Sequence, residues 1–148
     1  MISSAAKHLA EVWNHPDVLP WIAFGFEKDL TAENAQKLLD SGALYFQNEH
    51  GGFVMIPKEH GIYDVHTQFR PEGRGKEAFE LADKVKCVMF VDNPKCLALR
   101  TFVALDNPRA YWFARRNGFV DISSSIEQGR DGRTLLLTIK KWVKDTCR

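Results

Sequence analysis

The chain has 148 residues, 45% of them hydrophobic and 26% charged, with a formal net charge of +1. That is enough chain for one domain with a full core, in the composition of a soluble globular protein. It excludes a global basic field for nucleic acid, and no apolar run approaches the ~18 residues that cross a bilayer. The N-terminus, "MISSAAKHLAEVW", has no long apolar segment of the secretory kind. Three cysteines, Cys87, Cys96 and Cys147, show no CxxC spacing and predict reduced thiols in a cytosolic protein.

Residues 3–13 place Ala6, Leu9, Ala10 and Trp13 on one helical face, and Asn14-His15-Pro16 ends that helix. "DVLPWIAFGF" (17–26) is apolar and predicts a buried short helix or turn. Trp13, Trp21, Phe24 and Phe26 are most simply core. A second helix follows over 31–39, with Thr31 as N-cap.

The period then changes. "ALYFQNE" and "GFVMIP" are strand-like runs about His50-Gly51-Gly52, and "GIYDVHTQF" is a third strand. Its alternation puts Tyr63, Val65, Thr67 and Phe69 on one face and Ile62, Asp64, His66 and Gln68 on the other. Helical spacing returns over 75–90, with Ala78, Leu81, Ala82 and Val85 as the apolar stripe. "CLALRTFVAL" is a strand. "NPRAYWFARRNGF" is a helix with Asn107 as N-cap, Pro108 at its first position and Gly118 as its stop. "VDISSSIEQ", the turn "GRDGR" and "TLLLTIKKWV" predict a closing hairpin.

This order predicts an α/β (α+β) domain with a mixed sheet, occupying residues 1–148 as one unit. The five histidines are scattered, so no metal site is expected. "PEGRGKEAF" poses a choice between a phosphate-binding turn and a plain loop capping a helix.

Two stretches decide between them. Phe69 to Lys76, "FRPEGRGK", is similar to the strand-end consensus of the GNAT family of N-acetyltransferases, apolar-x-Pro-Glu-x-Arg-Gly-Lys/Arg. Asp106 to Phe119 is similar to that family's second signature, with Asn107, Ala110, Gly118 and Phe119 at the expected offsets. Over about residues 40–143 the element order also resembles this family.

The resemblance implies a mixed, mostly antiparallel sheet flanked by helices, with acetyl-CoA as cosubstrate and an amine, small or on a protein, as acceptor. It implies a cofactor site made by Val65, Thr67, Phe69, Arg70, Gly73, Arg74, Gly75, Lys76 and Asn107. The physical ground is that free N–H groups opening a helix bind a pyrophosphate, while an open strand edge pairs with the amide-rich pantetheine arm. The family's loop pattern fits in two registers, from Arg70 or from Arg74, and the second keeps the better spacing to Asn107. In that register Glu77 and Phe79 stand where the family has small residues. Ala114 stands where many members have a tyrosine acid, and Tyr111, one turn away, is the substitute. His66 and Asp64 are the candidates for the general base. No nucleic-acid or membrane partner is expected.

A looser resemblance is to short GNAT-like proteins of tailed bacteriophages, some associated with head assembly. It implies the rival role: a non-catalytic binding or assembly protein, as a homodimer or with a virion partner, in the host cytoplasm or the virion.

Overall fold

The structure is a computed structural model and describes residues 1–22, 29–127, 129–139 and 147. Phe24 and Phe26 lie outside the described residues, as do Gln128 and positions 140–143 of the hairpin expectation.

Helix α1 (Ser4–Trp13) is capped by the Ser3 hydroxyl, which accepts from the Ala6 N–H at 3.1 Å. A short turn of helix, α2 (Leu19–Ile22), follows, then α3 (Ala32–Asp40), capped by Thr31 on the Asn34 N–H at 3.1 Å. Strands β1 (Leu44–Asn48), β2 (Gly51–Pro57) and β3 (Ile62–Phe69) form an antiparallel meander. Helix α4 (Lys76–Cys87) leads through a π-helical turn, Val88–Asp92, to β4 (Ala98–Ala104). Helix α5 (Pro108–Arg116) and the hairpin β5 (Val120–Glu127) and β6 (Arg130–Thr138) complete the chain.

The strands make one six-stranded sheet in the order β1-β2-β3-β4-β6-β5. Among the described residues only β3 and β4 pair in parallel, and α4 supplies the crossover that a parallel pair needs. This is the mixed, mostly antiparallel sheet flanked by helices that the resemblance implied.

Strand alternation gives each face its own core. Phe53, Met55, Val65, Phe69, Leu99, Val103, Leu135 and Leu137 pack with Ala78, Ala82 and Val85 of α4 and Ala114 of α5. Val54, on the opposite face, packs with Ala6, Leu9 and Ala10 of α1 and Ala35 of α3.

The final turn is tighter than expected. Gly132 and Arg133 lie inside β6, and Arg130 already pairs with Glu127 of β5. The reason is packing: a Cβ on Gly132 would collide with the Phe102 ring, so the glycine serves a close approach within the sheet. The long helix expected over 75–90 likewise ends at Cys87, where the π-helical turn begins.

The expectation of reduced thiols fails for two of the three cysteines. Cys87 and Cys147 form a disulfide across a sequence separation of 60. A pairing at that distance leaves no local spacing to read. Cys96 is a buried thiol, and burial pushes its pKa up to about 11. It is therefore neutral and unreactive at physiological pH.

Candidate active site

The parallel pair is short. Ile62, Tyr63 and Asp64 pair with Ala98, Leu99 and Arg100, and there the ladder stops. Beyond it β3 stays with β2 as far as Phe69, and β4 stays with β6 as far as Ala104. The two strands therefore splay. The last tie is the Thr101 hydroxyl, which donates to the Val65 carbonyl at 3.2 Å.

A cleft of about 820 Å³ fills the gap, within the range of small-molecule sites. Backbone groups of β3 that do not face β2 are left to line it from Val65 to Phe69. Thr67, Phe69, Phe79 and Phe113 wall it on the α4–α5 side, and Val18, Trp21, His66 and Gln68 on the other.

One end of the cleft gathers groups that suit an anion. Gly75, at the N-cap position just before helix α4, has φ +95° and open space where a Cβ would project. Among the described residues no side chain caps this helix, in contrast to α1, α3 and α5. Its first N–H groups are thus available to a ligand, with the helix dipole behind them. Arg74 and Arg109 line the cleft at this end. Burial, and next the like charge of Arg109, push the Arg74 guanidinium below its ordinary value. It stays cationic at neutral pH, and an anion between the two arginines would relieve the repulsion.

Arg74 has a second task. Its Nε donates to the Phe69 carbonyl at 3.2 Å and its Nη2 to the Asp17 carbonyl at 2.8 Å. Across the cleft, Arg130 donates to the Pro20 carbonyl at 3.3 Å and pairs with Asp106 at 3.1 Å. The strap Asp17–Trp21 is held over the cleft from both banks.

The two departures in the loop are accommodated. Glu77 is not in the cleft wall; its carboxylate lies 3.7 Å from the His50 ring. Phe79 packs on Phe113 of α5 with ring centroids 4.7 Å apart.

The cleft wall includes Val65, His66, Thr67, Phe69, Arg74, Gly75 and Asn107 from the sequence expectation. Asn107 also explains the Asn-x-x-Ala spacing, since its side chain caps the Ala110 N–H at 3.3 Å. Other expected residues stand elsewhere. Arg70 turns to Glu11 at 3.7 Å and to the Glu49 carbonyl, which favours the Arg74 register. Gly73 packs against His50, and Lys76 is exposed beside Glu80. Asp64 forms an ion pair with Arg100 at 2.7 Å. The Tyr111 hydroxyl donates to Asp121 at 2.7 Å, away from the cleft. Asp17, Gln68 and Arg109 line the site without having been singled out, and Trp21, expected in the core, is instead 39% exposed in the cleft wall. Only Gln68 left a signal, because alternation put it on the His66 face.

His66 is held neutral. Burial lowers its pKa from 6.5, Asp64 opposes the shift and Lys58 adds to it. The sign follows directly. Below the ordinary value the unfolded chain takes up a proton that the native ring refuses, so stability falls as pH falls from there to the native pKa. Between about pH 7.5 and pH 5 the parent should therefore lose more stability than His66→Gln. Urea denaturation at the two pH values measures the difference, and equal losses would refute the neutral assignment.

No family model matches the chain, and no curated protein matches it in sequence. Solved structures do match. The spermidine N-acetyltransferase of Vibrio cholerae, in complex with CoA and spermine, aligns at TM-score 0.70 and 17% identity, covering 95% of this chain and 94% of that one. A GNAT-family acetyltransferase from Bacillus anthracis aligns at TM-score 0.67 and 14% identity, covering 91% and 89%. The likeness is one of fold: the chain has the architecture of the GNAT acetyltransferases.

Proposed function

We propose that the protein is an acyl-CoA-dependent N-acetyltransferase acting on an amine. The observation that carries this is the splay between β3 and β4, whose open strand edge ends at the uncapped start of α4 beside Arg74 and Arg109. A pantetheine arm, with its successive amides, fits an open strand edge. A pyrophosphate fits a helix N-terminus flanked by two guanidinium groups. The structurally similar spermidine N-acetyltransferase of Vibrio cholerae, solved in complex with CoA and spermine, supports CoA and an amine as the pair of ligands.

On this reading the amine enters from the His66 side, on the opposite face of the sheet from α4. The neutral His66 ring accepts its proton, and the free amine attacks the thioester carbonyl. The carbonyl–sulfur bond breaks. With Ala114 in the position of the usual tyrosine, the proton that the nitrogen sheds on becoming an amide passes through water to the departing thiolate.

The test is thermal denaturation with acetyl-CoA. At a hundred times the dissociation constant the ligand should add about 2.7 kcal/mol of stability. No shift at millimolar acetyl-CoA would overturn the enzymatic reading. It would favour the non-catalytic assembly role implied by the resemblance to phage proteins.

A further inference from the structure

Gln68 is 1% exposed, and among the described residues neither its amide nitrogen nor its carbonyl oxygen has a hydrogen-bond partner. It is nevertheless part of the cleft wall. A buried primary amide left unpaired is costly, because both its donors and its acceptor have been taken out of water.

The fold explains why no described residue pairs with it. Its register partner on β2 is Gly52, which has no side chain. On its other flank β4 has already diverged, since the β3–β4 ladder stops at Asp64 and Arg100. On this face α2 packs on β3; of the described strap residues that line the cleft, Val18 and Trp21 have no carbonyl or carboxylate side chain, and the Asp17 carboxylate is turned largely to solvent.

We propose that Gln68 reads the acceptor, and that the acceptor is an amine bearing an amide group near its nucleophile, as in the N-terminus of a peptide or an aminoacyl amide. This rests on the acetyltransferase reading for the role of the neighbouring groups. The CoA arm is not the partner: it would pair in the plane of the sheet, whereas side chains of β3 stand perpendicular to it. Gln68 and His66 lie on one face, two residues and about 7 Å apart along the strand. A ligand amide can thus meet the Gln68 carboxamide while its amine meets the His66 ring.

The chemistry selects between amines. A primary amide presents a donor and an acceptor side by side, and another amide answers both with two antiparallel hydrogen bonds. An alkyl polyamine carries only ammonium donors at neutral pH, so it would satisfy the carbonyl oxygen and leave the nitrogen unpaired. The amide-bearing amine is the better complement.

The experiment is calorimetry on the full chain with two probes, glycyl-glycinamide and 1,4-diaminobutane, each titrated with CoA present and with CoA absent. The parent should bind glycyl-glycinamide about tenfold to a hundredfold more tightly, as one further hydrogen bond and the pairing of a buried donor require. Gln68→Met, close in shape but without the amide, should erase that preference and leave CoA affinity unchanged. It should also raise the thermal midpoint, since an unpaired buried polar group is removed. Equal affinity of the parent for the two probes, or no measurable binding of glycyl-glycinamide, overturns the proposal without the need of any variant. A preference that survives Gln68→Met overturns it as well. Failure of CoA alone to bind would count against the acetyltransferase reading and leave the probe comparison as a separate result.

Discussion

Arg74→Ala should weaken CoA binding by about tenfold to a hundredfold, the loss of one charge-assisted hydrogen bond to a phosphate. The same substitution should also lower the stability of the ligand-free protein by about 1–3 kcal/mol. The second effect comes from the clamp, since Arg74 ties the Phe69 carbonyl to the Asp17 carbonyl. Arg74→Lys should recover part of the affinity through its charge. It should recover little of the clamp, because a lysine lacks the planar fork that reaches two carbonyls at once. Arg70→Ala is the matched control. Its side chain faces Glu11 rather than the cleft, so CoA affinity should not change. Calorimetry with CoA and thermal denaturation of the three variants give both readouts. Unchanged CoA affinity in a folded Arg74→Ala protein would remove the phosphate-binding assignment.

The second large effect concerns the C-terminal staple. The Cys87–Cys147 bond closes a loop with a sequence separation of 60. In the chain-entropy description, such a cross-link stabilises by about 4 kcal/mol. Cys147→Ser should therefore lower the midpoint of thermal unfolding by roughly 10 °C. Cys87→Ser should do the same, and the double variant should cost little more than either single one, because one bond is lost in every case. Reduction of the parent should reproduce the shift. A parent whose midpoint is indifferent to reductant would show that the bond contributes nothing.

Much of the fold is written in short-range signals. Thr31 and Asn107 cap the helices that follow them, as their positions relative to the apolar stripes require. The alternation in β3 assigned Val65 and Phe69 to one core and set His66 and Gln68 on the other face. These features depend on hydrogen bonds and side-chain directions within about four residues, so a linear string carries them. The GNAT-like pairing of "FRPEGRGK" with the Asn107 helix was legible for the same reason: each motif is a local solution to opening a helix.

Other features depend on residues brought together by the sheet. Arg70 and Arg74 are equivalent choices in the string, and only the path of the chain turns one to Glu11 and the other to the cleft. Gly132 reads as a turn residue until the Phe102 ring is seen lying across it. Cys87 and Cys147 are far apart in sequence, so their bond follows from where α4 and the C-terminus meet. Gln68 becomes informative only when Gly52 is found on one flank and a departed β4 on the other. Local propensity therefore determined the elements and their faces. Strand pairing, the point where β3 and β4 part, and the side chains stranded at that opening were decided by the tertiary structure, because each is a contact between segments that have no covalent reason to meet.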